Sequence, residues 1–407
     1  MLVLVAALAV ALLLFLILRV ALHPFLALLL VSMLVALAGG IPVARLATLI
    51  EDGMGKTLGH IALIIPLGAM IGRLIEHSGG AAVFAQNLIE RFGNRRAPLA
   101  LTIAGAVIGI PVFFEVGVIM LMPMAYGLAR ATGRPVLNFA LPLCITLLVV
   151  HAVLPPHPGA VATASLLGGE VGRILLWGLP ICAAAITGAY LVALVITRRV
   201  FATTDAVLAE VVRSDNVPAG PRAAPPSAGT VLALIAVPIV LIVLGTFASA
   251  AAPDRSLLHA LMVTLGTPFV ALLLDVLLCA YILGIRRGWS RGAVADVVGS
   301  AVPGIALVVL VTGTGGIFAQ VLIATGIGHA VADLLHSTGL PILGLGFLLT
   351  FLLRIAQGPT TVALTTTAGI LGPLVAHAGL NPNQIALTCI AMGTGGLAGS
   401  HVNDPGF

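Results

Sequence analysis

The sequence predicts an all-α polytopic membrane protein made of two inverted repeats, each with transmembrane helices, a re-entrant hairpin and a broken helix. Three observations lead there. Sixty per cent of the 407 residues are hydrophobic and 8% charged, with a mean hydropathy of +1.20, well outside the range of soluble domains. The hydrophobic plan also occurs twice. His23-Pro-Phe-Leu-Ala-Leu-Leu-Leu30 returns as Thr267-Pro-Phe-Val-Ala-Leu-Leu-Leu274, and Gly68, Ser78-Gly79 and Pro158-Gly159 reappear 247 residues later as Gly315, Thr325-Gly326 and Pro405-Gly406. Finally, each half breaks its apolar runs with Pro and Gly at matching places, the pattern of carriers whose site lies between repeats.

A hydrocarbon core about 30 Å thick needs ~20 apolar residues per helix. Such runs occupy 1–22, 24–43, 58–76, 98–130, 137–168, 173–197, 230–252, 258–284, 301–325, 340–378 and 383 onward. The first has no basic leading region, and its one cation, Arg19, stands at the far end. It reads as a first span with the N-terminus outside rather than a cleaved signal. With 98–130 taken as the re-entrant hairpin, the first half crosses five times, and an odd number turns the second half upside down. This topology places thirteen of the 19 Lys and Arg on the cytoplasmic side, among them Arg91, Arg95, Arg96, Arg286, Arg287 and Arg291, as the positive-inside rule requires.

Residues 1–199 form the first repeat and 230–407 the second. The polar, Pro-rich stretch 200–229, with Asp205, Glu210 and Pro218 to Ser227, reads as a passive cytoplasmic tether. Repeat one continues beyond Pro158-Gly159 into the run 173–197, whereas Phe407 follows Pro405-Gly406 directly. By the repeat offset roughly 40 residues, including a last helix, are expected to be missing from the second repeat.

The four cysteines stand in apolar segments at unrelated spacings, so neither a zinc site nor a disulfide framework is expected. The net charge of +5 comes from loop cations and reports orientation, not nucleic-acid binding. The glycines at 313–316 and 393–399 open no phosphate loop, and no metalloprotease, nucleophile-elbow or acidic metal-pair motif occurs. Neither an enzyme nor a cofactor or metal is expected.

The interruptions are Gly109 to Gly117, His151 to Gly159, Arg354 to Thr361 and Gly399 to Gly406. Irregular backbone at membrane depth survives only where protein or a water-filled cavity satisfies its N–H and C=O groups. Broken helices point N-termini with roughly half a positive charge into that space, which suits a carboxylate. Glu115 lies in an apolar run where an ionised group costs about 2.5 kcal/mol or more, which makes it a proton-coupling candidate against a neutral structural role. Asp404 would bind a proton or cation, orient His401, or cap a half-helix together with Ser400. His157, between prolines, is either a donor at the break or a satisfied core group. With Gly159, Gln357, Gly358, Thr360, Thr361, Ser400, His401 and Asn403 it makes up the expected substrate-binding set. Thr365, Thr366 and Thr367 are expected to bond back to their own helix. Arg354 either pairs with a carboxylate or snorkels to the interface. Asp275, whose repeat counterpart is Val31, is expected to be a helix-packing hydrogen bonder. Glu51, Asp52, Arg73, Glu76 and His77 are expected at the interface.

Gly-Ile-Pro-Val-Phe-Phe-Glu-Val-Gly at 109–117, Pro-Pro-His-Pro-Gly at 155–159, Arg-Ile-Ala-Gln-Gly-Pro-Thr-Thr-Val-Ala at 354–363 and Ser-His-Val-Asn-Asp-Pro-Gly-Phe at 400–407 resemble the gluconate permease family, in order and through essentially the whole chain. The resemblance implies a fold from a superfamily of ion-coupled carboxylate carriers. It also implies import of gluconate or a related sugar acid by proton symport across a bacterial inner membrane. Glu115 or Asp404 would take the proton, and half-helix N-termini with the polar groups at 157, 360, 361, 400, 401 and 403 would hold the anion. The implied partners are a small organic anion, protons and the lipid bilayer, without nucleic acid; a homodimer is left open. Pro359 stands where relatives often carry a small residue. Fructuronate, glycerate or D-serine as substrate, sodium coupling, and remotely an intramembrane enzyme, remain the alternatives.

Overall fold

The computed structural model describes residues 2–20, 22–197, 225–250, 256–327, 341–357 and 360–398, and every regular element among them is helical. Helix α1 (Leu2–Leu18) is followed by α2 (Pro24–Ala38). Pro24 starts the second helix, because its fixed φ suits the first helical position, where the missing N–H costs nothing. Next comes α3 (Val43–His77), whose 35 residues span about 52 Å at 1.5 Å per residue. The expected span 58–76 is only its second part. Arg45, Glu51, Asp52 and Lys56 depress the hydropathy of the first turns, yet Leu46 and Thr57 on the same turns are buried.

Helix α4 (Gly80–Phe92) was not expected. It buries Phe84, Ala85 and Ile89 and exposes Gln86, Glu90 and Arg91, an amphipathic stripe at helical spacing in a segment too short for a spanning window. The run 98–130 forms α5 (Ala97–Ile108) and α6 (Phe114–Thr132), which pack on each other and on α7 (Leu137–Val153). At 12 residues α5 is about 18 Å long, well short of the core thickness. After α7 the chain breaks, then continues as α8 (Pro158–Leu167) and α9 (Val171–Ile196).

The later part comprises α10 (Ala228–Ala250), α11 (Leu257–Leu265), α12 (Pro268–Cys279), α13 (Arg291–Gly299), α14 (Val302–Ala324), α15 (Ile342–Gln357), α16 (Thr360–His377) and α17 (Pro382–Leu397). Here the single run expected at 258–284 divides at Gly266-Thr267. Gly266 sits so close to Gly245 of α10 that a Cβ on Gly245 would stand 2.5 Å from the Gly266 Cα, and Pro268 then opens α12. A reciprocal capping box between Asn381 and Gln384 starts α17, which satisfies two orphan donors.

α3 packs on α14; α2 packs on α14 and α12 on α3; α5 packs on α7 and α15 on α17. Gly79 after α3 and Gly326 after α14 are both left-handed, with φ of 72° and 69°, a conformation that glycine adopts without Cβ strain. Six helices among the described residues are long and apolar enough to cross a membrane. Exposed Leu30, Leu34 and Leu37 on α2, and Val240, Leu244 and Phe247 on α10, form stripes that lipid rather than water would cover.

Candidate functional site

Pro111 removes a donor from the segment 109–113 and pushes Ile110 out of helical backbone, so α5 and α6 cannot fuse. Pro155 and Pro156 do the same between α7 and α8, and Pro158 opens α8 with His157 as its N-cap residue. These two breaks touch. His157 is 3% exposed, and its Nε2 lies 2.8 Å from the Gly109 carbonyl oxygen. A carbonyl only accepts, so Nε2 carries the hydrogen and donates it. In the neutral ring Nδ1 is then an acceptor. The one N–H of neutral His157 therefore ties the breaks together, and donation to a substrate would need the imidazolium.

Aromatic rings close around this contact. The His151 and His157 ring centroids are 4.3 Å apart, Phe113 meets His157 edge-on at 5.8 Å, and Phe114 meets His151 at 6.4 Å. The His151 Nδ1 is enclosed without a hydrogen-bond partner among the described residues.

α16 packs against α8. A Cβ on Gly159 would lie 2.9 Å from Leu364 Cδ1 and 3.4 Å from the Thr361 Cα, so two helix starts lie almost backbone to backbone. Thr360 is buried, and a Cβ on Gly396 of α17 would come 3.0 Å from its Cγ2. Arg354, 1% exposed, donates from Nε to the Gly396 carbonyl at 3.0 Å. Burial rules out snorkelling for Arg354, and a cation at the last turn of α17 complements that helix's dipole. Neither Phe113 nor His157, the N-cap residues of α6 and α8, caps its helix with a side-chain hydrogen bond.

Of the expected set, the fold brings His157, Gly159, Thr360 and Thr361 together. Glu115 is the second residue of α6, directly after the first break, and Gln357 is the last of α15. Gly358, Ser400, His401, Asn403 and Asp404 lie outside the described residues. Three groups absent from the expected set also belong here: His151, Phe113 and Arg354. Thr365 bonds back to Val362 at 3.1 Å, whereas the Thr366 and Thr367 hydroxyls are enclosed without a partner among the described residues. Arg73 pairs with Glu76 at 2.8 Å. Among the described residues neither Asp275 carboxylate oxygen has a nitrogen or oxygen donor, and the Cys279 thiol is the polar group beside it. No group of three or more His, Cys, Asp or Glu among the described residues is arranged to hold a metal ion.

Broken helices that bring uncapped starts and a buried cation to one centre within a multi-span helical body define a membrane permease. The chain belongs to the GntP permease family, whose sequence pattern ("GntP family permease") it matches over residues 1–407. It is 41% identical to the "Inner membrane permease YgbN" of Escherichia coli (strain K12), over 99% of this chain and 89% of that protein. It is 36% identical to a "Gluconate permease" of Pseudomonas aeruginosa over 96% and 86% of the two chains. The "Gnt-II system L-idonate transporter" of Escherichia coli (strain K12) is 34% identical, over 99% and 90%. In fold it is similar to the crystal structure of the Alcanivorax borkumensis YdaH transporter, with a TM-score of 0.61 at 16% identity, covering 91% of this chain and 86% of that one.

Proposed function

We propose that this permease imports gluconate or a related sugar acid by proton symport across a bacterial inner membrane. The observation that carries this reading is the approach of the α8 and α16 starts at Gly159 and Thr361, with the Arg354 guanidinium buried beside them. Two helix N-termini and one cation in a low-dielectric setting favour a carboxylate. The flanking Thr360, Thr361 and His151 offer groups for its hydroxyls. Relatives named for gluconate and for L-idonate support a polyhydroxy acid over other organic anions.

The architecture proposed with this function is two inverted repeats, 1–199 and 230–407, joined by a cytoplasmic tether at 200–229. The pairs α5–α6 and α15–α16 are their re-entrant hairpins, and the counterpart of the break between α7 and α8 is expected at Gly399 to Gly406, outside the described residues. One substructure would move against the other to expose the midplane alternately. Glu115, at the start of α6, or Asp404 takes the proton, and the anion site is completed by Gln357, Gly358, Ser400, His401 and Asn403.

Uptake of labelled gluconate into membrane vesicles tests this, with abolition by a protonophore as the expected result. Uptake indifferent to the protonophore removes proton coupling, and uptake that stalls when choline replaces sodium identifies a sodium-coupled carrier instead. Glu115→Gln is expected to lower gradient-driven uptake about tenfold or more, since it deletes an ionisable group at membrane depth. A wild-type response to the proton gradient in that variant clears Glu115 of the role.

A further inference from the structure

Between the first two breaks and α3, α9, α10 and α12 lies a small cavity, with walls that include Ile64, Ile71, Pro111, Pro156 and Pro238. Every lining side chain is apolar except one, Asp275 of α12. Asp275 is 0% exposed, and the Cys279 thiol one helical turn on is the polar group beside it. Among the described residues neither Asp275 oxygen has a hydrogen-bond partner. Of the elements in contact with α12, α10 contributes no ionisable residue, α11 carries only His259, the turn 280–284 carries Tyr281, and of α3 Arg73 and Glu76 are paired with each other while Arg45, Glu51, Asp52, Lys56 and His77 stand elsewhere along the helix.

A carboxyl is not needed for packing here. The repeat-equivalent position on α2 is Val31, also 0% exposed, so the same helix in the same kind of setting is served by valine. A buried acid without a cation or a nitrogen or oxygen donor is held neutral, because ionisation in apolar surroundings is prohibitive. What separates Asp275 from Val31 is the wall opposite, which is formed by residues 110–111 and 155–156, the broken segments joined by His157 and Gly109.

We propose that Asp275 is a second proton-carrying residue of the transport cycle. It is neutral while the breaks rest against α12 in the gluconate-loaded passage, loses its proton to water when they move away and the seam opens inward, and stays ionised and hydrated while the empty carrier returns with the breaks unseated. The carboxyl binds a proton from the side to which the seam is open, and releases it when the seam next opens on the other side. This rests on the symport reading and adds to it a residue on α12, across the seam from the breaks.

The test uses the full-length protein in liposomes, measuring protons carried per gluconate together with gluconate counterflow. Asn at 275 imitates the protonated side chain, and Val restores the residue found in the repeat. In both Asp275→Asn and Asp275→Val, counterflow is expected to persist, because loaded carriers can still reorient. Net gradient-driven uptake is expected to collapse, and the proton-to-gluconate ratio of what remains to fall by one. An unchanged ratio in either variant overturns the proposal. Loss of counterflow in both variants also overturns it, since Asp275 would then be structural. A wild-type protein that carries no protons defeats the symport reading itself, which is a separate and recognisable outcome.

Discussion

Replacing Arg354 by leucine is expected to raise the gluconate concentration for half-maximal uptake by about 100-fold, equivalent to ~2.7 kcal/mol. Among the described residues Arg354 is the only buried Lys or Arg. It stands in the last turn of α15. Its loss removes a countercharge for the anion in a low-dielectric setting, and it frees the Gly396 carbonyl that Nε holds at 3.0 Å. A hydrogen bond from a charged group contributes about 1.5–3 kcal/mol, so one such bond from the guanidinium to the bound carboxylate accounts for the expected effect. Arg354→Lys keeps the charge but not the planar fork, and an intermediate loss of about tenfold is expected. Uptake kinetics at matched membrane abundance decide the matter. Wild-type half-saturation in Arg354→Leu would take this side chain out of the anion site.

The positions of the helix breaks are legible in the sequence because Pro and Gly act locally. Clustered with Gly109 or with one another, Pro111, Pro155 and Pro156 end helices, whereas the lone Pro66, Pro142 and Pro238 stay inside them, and so His157, Gly159, Thr360 and Thr361 could be singled out in advance. Helices with polar faces are less legible. α4 and the first turns of α3 owe their structure to one buried stripe, which a hydropathy window averages away. The division of α11 from α12 depends on Gly245 lying against Gly266, a contact between helices. Contacts across the chain are the least legible: Gly109 and His157 are 48 residues apart, and Arg354 and Gly396 are 42 apart. No periodicity relates such pairs, so the tie between the breaks, the His151–His157 ring pair and the seat of Arg354 emerge only from the fold. Asp275 is the instructive case. Its valine counterpart was visible as a departure from the repeat, but the broken segments facing it were not.

A single methyl group at Gly72 is expected to cost nearly as much transport as the loss of Arg354, although Gly72 binds nothing. Gly68 and Gly72 are one turn apart on α3, and the two breaks rest on them. A Cβ on Gly68 would stand 2.9 Å from the Pro156 Cβ, and one on Gly72 would overlap the Pro111 carbonyl oxygen and lie 3.4 Å from the Val112 Cα. Small residues four apart give a helix a flat strip against which another backbone can lie, as at helix crossings in membranes. Side chains at the end of a rotamer can yield to an added methyl, but the Pro111 carbonyl is held by the chain on both sides. In Gly72→Ala the segment 109–113 must therefore shift as a unit, carrying with it the Gly109 oxygen that His157 binds. Overpacking costs about 1–3 kcal/mol in a close-packed interior, and a fixed backbone partner puts this site toward the upper end. If that cost falls on the state with the break seated, uptake drops by up to ~100-fold. Gly59→Ala, on the same helix with no atom within 4 Å of its added Cβ, is the matched control. It gains about 1 kcal/mol of helix propensity and should transport like the wild type. Should Gly72→Ala match that control in uptake and thermal stability, the first break does not rest on α3 during transport, and the seam assigned to Asp275 loses one of its walls.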